Sequence, residues 1–127
     1  MFTDYTSATI TLPSGSTNEV KAYVINLPKG VPIAQIISIQ YVISTATNSI
    51  TATFKLYDSN GVLMYSKGSI PYNATTLDPP NTSQNAAVIT FNPLLVEGGQ
   101  ISFTPSGDPG TSGMTCYAIF RVMLDRS

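Results

Sequence analysis

The chain has 127 residues, of which 43% are hydrophobic and only 10% charged, with seven acids, six bases and no histidine. Ordinary soluble domains are about a quarter charged. The length fits one domain able to bury about two-thirds of its unfolded surface, so the core needs neither metal nor disulfide. The missing histidine removes His/Cys metal sites and Ser-His-Asp or Cys-His catalysis. The bases Lys21, Lys29, Lys55, Lys67, Arg121 and Arg126 are scattered and form no patch for nucleic acid.

The start, Met1-Phe2-Thr3-Asp4-Tyr5, lacks the basic region and apolar run of a signal peptide, and no apolar stretch is long enough to cross a bilayer. The expectation is synthesis in the cytoplasm, with no signal peptide and no membrane association. The lone Cys116 cannot form an internal disulfide and lies in an apolar alternating run, where it reads as a small buried hydrophobe.

The dominant period along the chain is two, the spacing of a strand with one face buried. Ala8, Ile10 and Leu12 alternate with Thr9 and Thr11, and Pro13-Ser14-Gly15-Ser16-Thr17-Asn18 ends that strand. A second strand of mixed pattern runs from about Glu19 to Leu27, before the break at Pro28-Lys29-Gly30-Val31-Pro32. The third is long. Ile33, Ile37, Ile39, Tyr41 and Ile43 share one face with Gln35 as the polar exception, while Ala34, Ile36, Ser38, Gln40, Val42 and Ser44 share the other. Both faces are partly apolar, which predicts a central strand or a contact with another subunit.

Next, Ile50, Ala52, Phe54 and Leu56 point inward and Thr51, Thr53, Lys55 and Tyr57 outward. Asp58-Ser59-Asn60-Gly61 turns and Val62-Leu63-Met64-Tyr65 returns, which is a β-hairpin. A calcium loop needs a Glu where Lys67 stands, so this segment is a turn. From Lys67 to Asn85 the alternation dissolves among Gly68, Pro71, Pro79 and Pro80, which predicts a long loop over about 67–85. Strands resume with Ala87, Ile89 and Phe91, then with Ile101 and Phe103 inward, and Pro105 to Gly113 reads as a flexible loop. The last strand places Met114, Cys116, Ala118, Phe120, Val122 and Leu124 on one face and Thr115, Tyr117, Ile119, Arg121 and Met123 on the other. The second face is half apolar. Either a subunit contact or cover by an element of the same chain accounts for that.

These elements predict an all-β chain: a single-domain antiparallel β-sandwich over 1–127, jelly-roll-like, with about eight strands. The acids Asp4, Glu19, Asp58, Asp78, Glu97, Asp108 and Asp125 fall mostly in predicted loops or at the ends, and no two share a face of one strand. No carboxylate pair or other acid–base constellation is held on a rigid element, so the chain is expected not to be an enzyme and to need no cofactor or metal. The candidate partner-contact residues are Tyr72, Asn73, Leu77, Pro79 and Pro80 in the long loop, with Tyr117, Ile119 and Met123 on the last strand.

The hairpin Thr53-Phe54-Lys55-Leu56-Tyr57-Asp58-Ser59-Asn60-Gly61-Val62-Leu63-Met64-Tyr65-Ser66, within a Thr/Ser-rich β chain lacking His and Trp, resembles small virion proteins of tailed bacteriophages. These are capsid decoration (cement) proteins and modules of head or tail fibres. The resemblance implies a jelly-roll subunit, a homo-oligomer with a trimer favoured, that sits in the virion on the major capsid protein or another virion protein and stabilises the shell. It transfers no site residues. The alternative is a glycan- or receptor-binding module of a fibre, with its site in the loops 67–85 and 105–113.

Overall fold

The computed structural model describes residues 2–23, 33–58, 60–78 and 99–124. Nine strands occur among them: β1 (Phe2–Thr6), β2 (Ile10–Leu12), β3 (Val20–Tyr23), β4 (Ile33–Ile43), β5 (Thr51–Tyr57), β6 (Leu63–Pro71), β7 (Ala74–Asp78), β8 (Gln100–Pro105) and β9 (Met114–Leu124). They form two antiparallel sheets. Sheet A has the order β1-β9-β4-β7, with β2 also on β9, and sheet B has the order β3-β8-β5-β6.

The pairings are nested: β2 with β9, β3 with β8, β4 with β7, and β5 with β6. The chain is therefore one long antiparallel ribbon, doubled back at the β5–β6 turn and rolled into two layers. That is the jelly-roll arrangement expected from the sequence.

The alternation predicted for β5 is realised: Ala52, Phe54 and Leu56 are buried and the residues between them are not. Ile101 and Phe103 of β8, and Met114, Cys116, Ala118 and Phe120 of β9, are buried as expected. The two inner faces meet at Phe54. Its ring lies 4.8 Å from Tyr41 and 6.3 Å from Phe120 on sheet A, and 5.4 Å from Phe103 beside it on sheet B. Cys116 is wholly buried in this core, and burial pushes its thiol pKa up to about 12.

Three expectations need correction. First, the loop predicted to begin at Lys67 does not begin there, because 67–71 belong to β6 and 74–78 form β7. The supposed breakers among the described residues have a place in the ribbon. Gly68 and Ser69 lie in a bulge between the Ala52–Ile70 and Phe54–Lys67 pairs. Pro71 ends an edge strand, where no ladder donor is needed. Asn73, with φ at 51°, makes the tight turn into β7. Pro79, Pro80 and the rest of that predicted loop lie outside the described residues, as do Ala87, Ile89 and Phe91.

Second, the loop 105–113 is pinned rather than flexible. The Asp108 carboxylate accepts the backbone N–H of Gly15 at 2.7 Å and of Gly110 at 2.8 Å. Asn48 Nδ2 donates to the Asp108 carbonyl and Thr47 Oγ1 to the Thr111 carbonyl, both at 2.9 Å. The loops β2–β3, β4–β5 and β8–β9 are thus tied into one crown. The two amide hydrogen bonds hold the exposed Asp108 carboxyl below its ordinary pKa.

Third, period two fails in the first half of β4. Its pairing with β9 slips twice, between Ile33 and Gln35 and between Ile36 and Ser38, so one uninterrupted period of two cannot run from Ile33 to Ile43. At the other end of sheet A, Ala8 is exposed, because Ser7 breaks the strand: its N–H donates to the Ala118 carbonyl and its Oγ accepts the Ala118 N–H. The separate strand β1 had no legible pattern in the sequence.

Candidate contact face

The two outer faces of the sandwich differ in chemistry. On sheet B, Lys21, Ser102, Lys55 and Ser66 lie in one cross-strand row. Glu19, just before β3, reaches over this row. Its Oε2 accepts the Tyr57 hydroxyl at 2.5 Å and the Ser102 hydroxyl at 2.6 Å. Lys21 Nζ sits 4.5 Å from the centre of the Tyr57 ring, and Ser102 is completely buried under these side chains. Burial pushes the Glu19 carboxyl up, but the hydrogen bonds from Ser102 and Tyr57 and the charges of Lys21 and Lys55 outweigh it and hold the pKa below its usual value. Burial and the Glu19 hydrogen bond raise the Tyr57 hydroxyl. The group acts as a clamp across β3, β8 and β5, joined by the hydrogen bonds of Glu19 to Tyr57 and Ser102 and by the contact of Lys21 with the Tyr57 ring.

Sheet A presents something else. Pairs opposite one another share a face, so the row Thr6–Ile119–Gln40 and the next row Tyr117–Val42–Thr75 lie on its outer side. Gln40, Val42, Tyr117 and Ile119 are half-buried at the middle of this surface, and Thr6, Thr75 and Thr115 border it exposed. The charged pair on the face, Asp4 and Arg121, is self-neutralising, with Nε to Oδ1 at 3.0 Å and Nη2 to Oδ2 at 3.2 Å. The hydrogen bond from Arg121 is the main reason that the Asp4 carboxyl lies below its usual pKa.

The predicted contact residues fall into three groups. Register brings Tyr117 and Ile119 to the outer side of sheet A, while Leu77 and Met123 pair within β7 and β9 and their side chains lie outside the described residues. Asn73 is exposed at the border of that surface, its N–H bonded to the Ser44 carbonyl. Tyr72 is elsewhere: its ring packs against the core and its hydroxyl is 3.1 Å from Ser49 Oγ. Pro79 and Pro80 lie outside the described residues. Gln40 and Val42 join the face through β4. Their signal was the half-apolar second face of the third predicted strand.

Topology and surface define the class: a jelly-roll β-sandwich with one clamped, charged outer face and one neutral, half-apolar outer face. No family model matches the chain, and no curated protein matches it. Among solved structures, a chain of the cyanophage Pam1 capsid asymmetric unit is similar, at 18% sequence identity and a TM-score of 0.46, with 96% of this chain and 84% of that one covered.

Proposed function

We propose that this protein is a non-enzymatic structural subunit of a bacteriophage virion. In this reading it is made in the host cytoplasm, assembles as a homo-oligomer with a trimer favoured, and packs on the outside of the capsid as a decoration or cement protein. The observation that carries the reading is the outer face of sheet A. Covering Val42, Tyr117 and Ile119 strips water from apolar surface, which is favourable, and the Gln40 amide and Tyr117 hydroxyl beside them need only hydrogen-bond partners, not counter-charges. Covering the outer face of sheet B would desolvate Lys21 and Lys55, at a cost. The chain's general poverty in charge also leaves little long-range repulsion between copies packed at high density. The jelly roll is a shape used by shells and lectins alike, so the surface chemistry and not the fold separates the two.

The test uses particles of the phage whose genome encodes the chain. Deleting the gene should yield particles that lose DNA at lower temperature, and adding back the purified protein should restore the wild-type heat tolerance and co-sediment with the shells. Particles of unchanged heat tolerance that bind none of the added protein would overturn the cement role. Saturable glycan-array binding by a monomer would support the fibre-module alternative instead.

A further inference from the structure

The β5–β6 turn carries the chain's one Asn-Gly pair, Asn60-Gly61. This dipeptide has a chemistry of its own. Gly61 has no Cβ, so its nitrogen can approach the Asn60 side-chain carbonyl with less hindrance than at the chain's other asparagines. Asn60 is exposed, so water and base reach it.

The reaction balances with water as its only co-reactant. The Gly61 nitrogen gives up its proton and attacks Cγ of Asn60. The N–Cγ bond forms, the Cγ–Nδ2 bond breaks, and the side-chain nitrogen leaves as ammonia. Water then opens the cyclic imide at either carbonyl. One opening gives aspartate, and the other gives isoaspartate, in which the main chain runs through Cβ and Cγ. No electrons are transferred.

The fold closes this route. The Gly61 N–H donates to the Asp58 carbonyl at 3.0 Å. On either side of it, the N–H groups of Asn60 and Val62 donate to Asp58 Oδ1 at 2.8 and 2.9 Å. The Asp58 N–H donates in turn to the Val62 carbonyl at 2.9 Å. Asp58 is itself only 8% exposed, and hydrogen bonds to an ionised acceptor are the strong kind. Attack requires the Gly61 nitrogen to leave its acceptor and turn toward its neighbour's side chain. The reaction therefore draws on the minority of molecules in which the turn is open.

We propose that Asn60 is a site of spontaneous, irreversible modification gated by Asp58. Cyclisation removes the Gly61 N–H, and isoaspartate adds a carbon to the main chain and a carboxylate close to Asp58. A turn that reacts while open does not reclose in its original form, so the modified fraction records how often the turn has opened. Asn48 is also exposed, but a serine follows it, and its Nδ2 and N–H are tied to the carbonyls of Asp108 and Pro109.

The test incubates the full chain at pH 8, folded and in urea, and then digests it with trypsin. Cleavage after Lys55 and Lys67 releases residues 56–67, whose single asparagine is Asn60. The amide-to-acid mass change and a separate chromatographic peak for isoaspartate report the reaction. In urea, Asn60 should react before the other asparagines. In the folded chain it should react at least about tenfold more slowly. Asp58→Ala, shown to be folded by its melting curve, should lose most of this protection. Asp58→Asn, whose neutral oxygen is the weaker acceptor, should fall between the two, and it serves where the alanine variant does not fold. Equal rates in the folded chain and in urea overturn the gate, as does a folded Asp58 variant no faster than wild type. Another asparagine reacting ahead of Asn60 in urea overturns the site itself.

Discussion

Two glycines with the same backbone handedness should respond very differently to a methyl group. Gly61, in the β5–β6 turn, has φ at 81°, and a Cβ built there meets nothing within 4 Å. Gly113, at the end of the pinned β8–β9 loop, has φ at 65°, and its Cβ would lie 2.4 Å from the Leu12 carbonyl oxygen and 3.3 Å from the Ser14 nitrogen. Gly61→Ala therefore costs only the left-handed conformation, about 1–2 kcal/mol. Gly113→Ala costs that and a clash with backbone that pairs with β9 through Leu12 and Met114, adding about 1–3 kcal/mol, for a sum of about 2–5 kcal/mol. At about 2.1 cal/mol/K per residue, unfolding 127 residues carries roughly 270 cal/mol/K, so 1 kcal/mol moves Tm by about 4 °C. Scanning calorimetry should find a loss of about 4–8 °C for Gly61→Ala and of about 8–20 °C for Gly113→Ala. Equal losses, or a larger one at Gly61, would refute the tight approach of the β8–β9 loop to the end of β2.

Phe54→Ala should destabilise by about 3–5 kcal/mol in urea titration and Phe54→Leu by clearly less, because the ring touches three aromatic residues in both sheets; a loss under about 1 kcal/mol for the alanine would count against a core centred there. Glu19 has a lowered folded pKa, so its stabilising contribution is whole above its unfolded pKa and is lost as pH falls through the folded one. The urea midpoint of wild type should thus exceed that of Glu19→Gln at pH 7, with the gap shrinking on acidification, and a gap constant down to pH 3 is the contrary outcome. Cys116, with its thiol at about 12 and no exposure, should not react with a disulfide reagent at pH 8 until the protein is denatured; rapid labelling of the native chain is the result that would contradict its burial.

What could be read directly from the chain were the elements whose alternation is local and strong. Ala52-Phe54-Leu56 and Met114-Cys116-Ala118-Phe120 name their buried faces, because a strand with one side in the core repeats every two residues whatever its partner. The contact face was legible in part for the same reason: Tyr117 and Ile119 stand out as apolar on the side that a lone sheet would leave polar. Tertiary structure decided the rest. The bulges that shift the register of β4 and absorb Gly68 and Ser69 exist only against a partner strand. Asp108 pins a loop only because Gly15, 93 residues away, offers an N–H. The burial of Ser102 depends on Glu19, 83 residues before it, folding over β8. In a rolled ribbon, partners in space are far apart in sequence everywhere except at the β5–β6 turn. Local pattern therefore fixes which side of a strand is wet, while only the closed fold fixes which strand lies beside it.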